Sequence, residues 1–307
     1  MIDPVISPVI SPVISPVISP GINPVVNPWL RMGPCSPDAC VQAAASAAGA
    51  LRRAARLLAA VCVVLAGLPV ALAACHVRAD VRAEITRAWA RLLLHALGLR
   101  LEIVTPDARP SEANPGAGAL VVANHISWLD PLVIAAAVPS RPLAKHEIAR
   151  WPVVRTLAAG SGALFIDRER LSALPDAVAT VAGALRAGDT VVAFPEGTTW
   201  CGRGMGSFRP AVFQAAIDAG ATVRPATLRY REGELTSTRA CYVGEDSLLA
   251  SVLRVAATRR LVVEVRLSAP VRLTPSAPRP QARAALARIA EAQVRTGVCA
   301  GAAGRHG

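Results

Sequence analysis

Leu57 to Cys75 reads LLAAVCVVLAGLPVALAAC, nineteen residues without a charge. A helix of that length can cross the hydrocarbon of a bilayer, so the fold has to place one segment that water solvates poorly. Arg52, Arg53 and Arg56 precede it; Arg78, Arg82, Arg87 and Arg91 follow it. Basic residues on both flanks give no inside–outside preference. They suit a helix that dips into a leaflet and returns, or one whose two ends both meet anionic headgroups, and Pro69 would supply a bend. Leu72-Ala73-Ala74-Cys75 also fits a lipoprotein cleavage box, which would export the rest, although four such letters carry little weight in so alanine-rich a chain. The stretch Val81 to Leu97 has helical period. Val81, Ile85, Ala88, Trp89, Leu92 and Ala96 fall on one face; Glu84, Arg87, Arg91 and His95 fall on another. Two readings stand side by side: a membrane-embedding helix pair with Trp89 at the interface, or a second helix whose apolar face packs on the domain core.

What comes before this pair is low-complexity. Ser-Pro-Val-Ile occurs three times from Ser7 to Ile18, and prolines recur every four residues from Pro4 to Pro28. Such a run cannot be helical, because each ring removes a donor and fixes φ. It reads as extended spacer or as repetitive upstream sequence translated from a mis-called start, with Met32 an internal candidate. The domain organisation expected is therefore a Pro-repeat and disordered N-terminus over 1–50, a membrane-associated helical segment over 51–98, a folded domain over 99–296 and a disordered tail over 297–307.

Beyond residue 98 apolar β-like runs alternate with helical stretches. Leu99–Thr105, Ala119–Ala123, Ala163–Ile166, Thr190–Phe194, Thr222–Arg229 and Leu261–Leu267 read as strands. Pro131–Val138, Pro175–Ala187, Pro210–Ala219 and Gln281–Thr296 read as helices. That alternation predicts an α/β fold with a mostly covered central sheet and flanking helices.

Charge narrows the partners. Lysine and arginine number 33 against 21 acidic residues, and Lys145 is the single lysine. A basic surface suits anionic headgroups, phosphorylated substrates or nucleic acid. With eleven aromatic residues among 307 there are few stacking platforms, and no helix-turn-helix pattern is present, so nucleic acid is not expected as a partner. The seven cysteines show no CxxC or Cys/His spacing, which predicts neither a disulfide scaffold nor a metal site.

Chemistry concentrates at strand ends. Asn124-His125-Ile126-Ser127-Trp128-Leu129-Asp130 follows the strand Ala119–Ala123 and runs into a helix. An Asp five residues after a His can turn back on it, hold one tautomer and stabilise the imidazolium, leaving the other nitrogen to act as general base. The plainer alternative makes Asn124 or Asp130 a helix cap and His125 a loop residue. Phe194-Pro195-Glu196-Gly197-Thr198-Thr199 ends another strand; Gly197 allows a tight turn whose amides and hydroxyls can face an anion, or the segment is an ordinary turn. Asp167-Arg168-Glu169-Arg170 ends a third, where an arginine suits bidentate phosphate binding or is a solvated charge.

Taken in order, NHxxxxD, GALFIDR, FPEGT and Val223-Arg224-Pro225-Ala226 resemble the glycerolipid acyltransferase family, of the 1-acylglycerol-3-phosphate acyltransferase type. The resemblance runs from about Ala119 to Leu228. It implies His125 as the base that deprotonates the acceptor hydroxyl and Asp130 as its orienting partner. It implies Arg168, Glu196, Gly197 and Thr198 at the phosphate or glycerol portion of the acceptor, Lys145 as a further phosphate ligand and Pro225 shaping the pocket or the acyl-donor side. The reaction it implies needs no metal and no cofactor, with acyl-CoA or acyl-carrier protein as co-substrate and a lysolipid as acceptor. Because acyl thioesters are cytosolic, the expected place is the cell membrane with the catalytic domain on its cytoplasmic side. Trp128, Thr199 and Trp200 also occur in acyltransferases of amino-acid lipids, so lyso-ornithine lipid is the alternative acceptor. An inactive membrane-anchored lipid-binding module is the alternative of a different class.

Overall fold

The computed structural model describes residues 33–105, 118–146, 150–166, 171–272 and 279–303. Its centre is β2 (Ala119–Ala123), whose Leu120, Val121, Val122 and Ala123 are wholly buried. A strand apolar on both faces needs cover on both faces, and here it has it. Leu93, Leu94, Ile134, Leu228 and Val263 pack with Val121 and Ala123 in one cluster. Leu185, Val191, Phe213, Leu286 and Val294 pack with Leu120 and Val122 in the other.

The sheet runs β1-β8-β6-β2-β5-β3-β4 and has eight strands, β7 pairing with β6 off that path. β1 is Leu99–Val104, β3 Arg141–Lys145, β4 Leu164–Ile166, β5 Val191–Ala193, β6 Thr222–Glu232, β7 Leu235–Thr236 and β8 Leu261–Leu267. β6 is antiparallel to β7 and β8; the other pairings are parallel. The α/β expectation holds, with strands within a residue or two of the sequence-read runs except that β6 continues three residues further. β3 was not anticipated. Arg141-Pro142-Leu143-Ala144-Lys145 is neither alternating nor uniformly apolar, and it becomes a strand because β5 and β4 supply partners on its two sides.

The helices are α1 (Pro37–Cys40), α2 (Ala50–Ala74), α3 (Ala79–Ala96), α4 (Asp130–Ala137), α5 (Pro152–Gly160), α6 (Leu174–Arg186), α7 (Ala211–Ala219), α8 (Leu248–Ala257) and α9 (Arg279–Ala303). Residues 31–307 form one compact unit, so the boundaries expected at 50 and 98 do not separate bodies. Residues 33–48 are laid on the domain: Gln42 N–H donates to Thr238 Oγ1 at 2.9 Å and Ala48 N–H to Ala257 O at 2.8 Å. At the other end α9 passes the expected stop at Thr296 and continues to Ala303, with Val298 buried. The Pro-repeat itself lies outside the described residues.

α2 is continuous through Pro69 and packs through small residues. A Cβ on Gly67 would stand 2.9 Å from Trp89 Cε2, and one on Gly160 of α5 would stand 2.6 Å from the Ala71 backbone. Trp89 donates its indole N–H to Val63 O at 3.1 Å, so it is a clasp between α3 and α2 rather than an interfacial anchor. The residues of α3 buried deepest are Thr86, Ala90, Leu93 and Leu94, a face rotated from the one read from periodicity, of which Trp89 and Ala96 still pack on the core. Val81 and Leu92 of the expected face stay exposed, while Arg91 reaches Ala136 O at the end of α4 at 2.8 Å. α3 is apolar on more than one side, and only its neighbours decide which side is the core.

Candidate active site

β2 and β5 are adjacent and parallel, so the segments that leave their C-terminal ends, Asn124–Asp130 and Phe194–Thr199, emerge side by side. In α/β sheets that crevice is where ligands are met. Asn124 anchors the first segment: its Nδ2 donates to Leu228 O at 3.0 Å and its Oδ1 accepts from Leu228 N–H at 2.8 Å. This side-chain amide extends the β2–β6 ladder by one rung, and the chain is then free to turn.

After the turn Asp130 comes back as the first residue of α4. Its Oδ2 accepts from Ile126 N–H at 2.5 Å and Ser127 N–H at 2.8 Å, and lies 2.8 Å from His125 Nδ1. Its Oδ1 accepts from the Tyr230 hydroxyl at 2.8 Å. Asp130 is wholly buried and an acceptor on every side, so Nδ1 of His125 carries the hydrogen and Nε2 the lone pair. The imidazole stacks on Phe194 with ring centroids 4.3 Å apart and keeps 20% of its surface open. Tyr230 had no signal in the sequence as a site residue. Burial, and then the Asp130 charge, holds its phenol well above the usual range, so it remains a donor.

Glu196 belongs to the same construction. Its Oε1 accepts from His125 N–H at 2.7 Å and its Oε2 from Gly206 N–H at 2.5 Å. Burial pushes the carboxyl up to about 8 although both amides favour the ionised form; Asp130 adds to the rise and Arg295 opposes it. Glu196 therefore orients the backbone of His125, a different part from the acceptor contact that the family resemblance implies. The turn closes with Gly197 N–H donating to Phe194 O at 3.2 Å, and Gly197 has φ 77°, which glycine adopts without penalty. A Cβ there would stand 3.3 Å from the Arg209 guanidinium carbon, which puts an exposed cation beside the turn that sequence reading passed over. Thr198 is half-buried next to it. Trp200 N–H donates to His125 O at 2.8 Å, so both ends of the His125 peptide frame are held by the second segment.

The other expected site residues are placed less directly. Lys145 closes β3 opposite Ile166, the last residue of β4, at the sheet edge shared with His125; its side chain lies outside the described residues. Arg168 also lies outside them. Pro225 is buried inside β6 opposite Val122, one residue before the β8 pairing begins, where its missing N–H breaks no rung to β8. There it shapes the sheet.

A buried carboxylate, an imidazole oriented by it and a glycine turn beside them form an arrangement that can take a proton from a bound hydroxyl. The Acyltransferase family model matches residues 101–229, a span that holds all of these residues. A 1-acyl-sn-glycerol-3-phosphate acyltransferase of Neisseria meningitidis is 35% identical over 175 residues, covering 57% of this chain and 67% of that protein. A lyso-ornithine lipid O-acyltransferase of Pseudomonas aeruginosa is 34% identical over 215 residues, covering 70% and 78%. The chain belongs to the acyltransferase family. Its fold is shared with the crystal structure of the 1-acyl-sn-glycerophosphate acyltransferase PlsC from Thermotoga maritima, at a TM-score of 0.59 and 20% identity over 82% of this chain and 95% of that one. Membership makes the chain an acyltransferase and gives the His125–Asp130 geometry its context.

Proposed function

We propose that this acyltransferase esterifies the free hydroxyl of a lysolipid, with 1-acylglycerol-3-phosphate as acceptor and phosphatidic acid as product. The observation that carries the reading is the His125–Asp130 contact at 2.8 Å, with the imidazole open to the crevice. His125 Nε2 takes the acceptor hydroxyl proton as the oxygen attacks the thioester carbonyl of acyl-CoA or acyl-carrier protein. The tetrahedral intermediate collapses, the C–S bond breaks, and the imidazolium returns the proton to the thiolate. Asp130 stabilises the imidazolium between those steps. Arg209 beside the Gly197 turn, together with Lys145 and Arg168, supplies the charge for a phosphate.

Lyso-ornithine lipid is the second reading, supported by the longer match to the Pseudomonas aeruginosa relative. Membrane attachment belongs to both. α2 is the one helix among the described residues long and apolar enough to cross a bilayer, and Leu51, Leu58, Val61, Leu65 and Leu72 on it are exposed. Because α2 also packs against α3 and α5, we favour an α2 that stays on the domain and sinks its exposed leucines into the cytoplasmic leaflet, with α3 leading the chain back, over one that leaves the domain to span the membrane.

The test offers labelled acyl-CoA to membranes bearing the protein, with lysophosphatidic acid or lyso-ornithine lipid as acceptor and His125→Ala as control. Label in phosphatidic acid, reduced at least ~100-fold in the variant, is the expected result. Label in ornithine lipid alone would overturn the acceptor and keep the mechanism; full activity of His125→Ala would overturn the mechanism.

A further inference from the structure

The seven cysteines have no metal-binding spacing in sequence and are all free thiols, yet the fold brings three of them to one point. The Sγ atoms of Cys35, Cys40 and Cys201 all lie within 4.8 Å of one another. Cys35 and Cys40 bracket the short turn of α1, where Cys40 N–H donates to Ser36 O at 3.0 Å and folds the two thiols to one side. Cys201 comes from the segment beyond the Gly197 turn and is buried beneath them. The expectation of no metal site rested on local spacing, which cannot register a cluster assembled from opposite parts of the chain.

We propose that Cys35, Cys40 and Cys201 bind a thiophilic divalent cation, zinc in the first instance. A zinc ion holds thiolates at about 2.3 Å, which in tetrahedral geometry places neighbouring sulfurs about 3.8 Å apart. Three sulfurs within 4.8 Å need only a small contraction to reach that arrangement. A disulfide would use two of the three and strand the third, whereas a soft cation uses all of them. A further sulfur is near: Cys241 is fully buried in the same apolar cluster.

The position of the cluster gives it a purpose. Trp200, next to Cys201, donates its N–H to His125 O, and Tyr242, next to Cys241, donates its N–H to Ile126 O at 2.9 Å. Thr199 Oγ1 is bonded to Tyr242 O. A cation at the three thiols would staple residues 33–48 onto the segment of Trp200 and Cys201, which holds the His125 carbonyl directly and meets the Tyr242 segment through Thr199, a support one layer out from the chemistry.

The experiment uses the full chain in detergent, reduced anaerobically, stripped with chelator and titrated with Co2+. Expected is about one equivalent bound, with thiolate-to-cobalt charge transfer in the near ultraviolet and the visible bands of a tetrahedral site. The signal should persist in Cys62→Ser and Cys299→Ser, whose thiols are exposed elsewhere, and fall at least tenfold in Cys40→Ser and Cys201→Ser. Should the serine variants fail to fold, alkylation of the wild-type protein decides: cobalt should shield Cys35 and Cys40, and chelator should restore their reaction. Absence of thiolate charge transfer in the reduced wild-type protein overturns the proposal. So does a signal that survives in folded Cys40→Ser and Cys201→Ser, or cobalt that leaves Cys35 and Cys40 reactive. Metal-free protein as isolated with five titratable thiols rather than seven would show a disulfide and overturn it equally. None of these readouts involves acyl transfer, so this proposal and the acceptor assignment can fail separately.

Discussion

The Tyr230 hydroxyl donates to Asp130 Oδ1 at 2.8 Å, on the oxygen that His125 does not use. One strand, β6, thereby reaches across to the carboxylate that the β2 segment turns back to its own histidine. Asp130 has four donors around two oxygens, and Tyr230 is the one remote in sequence. A hydrogen bond to a buried charge contributes about 1.5–3 kcal/mol. Tyr230→Phe should lower kcat roughly tenfold or more while leaving KM for the acyl donor unchanged. Steady-state kinetics with a saturating acceptor check this, and an unchanged kcat would reduce Tyr230 to packing.

Glu196 makes stability fall with rising pH. Its folded carboxyl titrates at about 8 against an ordinary 4.5, so between those values the folded chain holds a proton that the unfolded chain has released. The stabilising contribution is complete below about pH 4.5 and is lost as pH rises through about 8. Over that window the loss is on the order of 5 kcal/mol. Urea unfolding at a series of pH values should show the decline. Glu196→Gln should be less stable at pH 5, because its NH2 faces one of two backbone donors, yet decline less steeply toward pH 8. Parallel slopes for the two proteins would remove Glu196 as the cause.

Asn124 tests whether the motif begins with a structural residue. Asn124→Asp would set a carboxylate oxygen against Leu228 O, now 3.0 Å from Nδ2, at a position almost without solvent. The expected cost is about 3 kcal/mol or more, exceeding that of Asn124→Ala, which leaves a buried N–H and C=O unpaired at about 1–3 kcal/mol. The order of the urea midpoints checks it: wild type, then alanine, then aspartate.

The α2 docking rests on absent side chains. In Gly160→Ala the new methyl would stand 2.6 Å from the Ala71 backbone, with no flexible group to yield. Overpacking of this kind costs about 1–3 kcal/mol, and for a chain of this size that lowers Tm by roughly 3–10 °C. Limited proteolysis in detergent should cut between α2 and α3 sooner in the variant. Unaltered Tm and cleavage would mean that α2 is held mainly by Trp89 and its bond to Val63 O.

Much of the site was legible before any coordinates. The strand Ala119–Ala123 was readable to the residue because a central parallel strand is apolar on both faces, and that signal is local. The His125–Asp130 pairing followed from a five-residue turn, and the Gly197 turn from its composition. Locality is also why other features were missed. Whether α3 buries Leu92 or Leu94 depends on α2 and α4, not on the period of α3 itself. β3 is a strand because its neighbours complete its hydrogen bonds. Glu196 was noticed, but its bond to the His125 amide exists because β2 and β5 are neighbours in the sheet.

The sequence by itself determined the class of fold, the strands of the core and the order in which the chemical groups leave them, because each is written in residues a few positions apart. Only the tertiary structure decided that Tyr230 meets Asp130, that Glu196 holds the His125 backbone and that Cys201 lies with Cys35 and Cys40. Those contacts join segments tens to hundreds of residues apart. Their geometry is set by strand order and helix packing, which depend on burying the whole core at once and leave no local pattern to read.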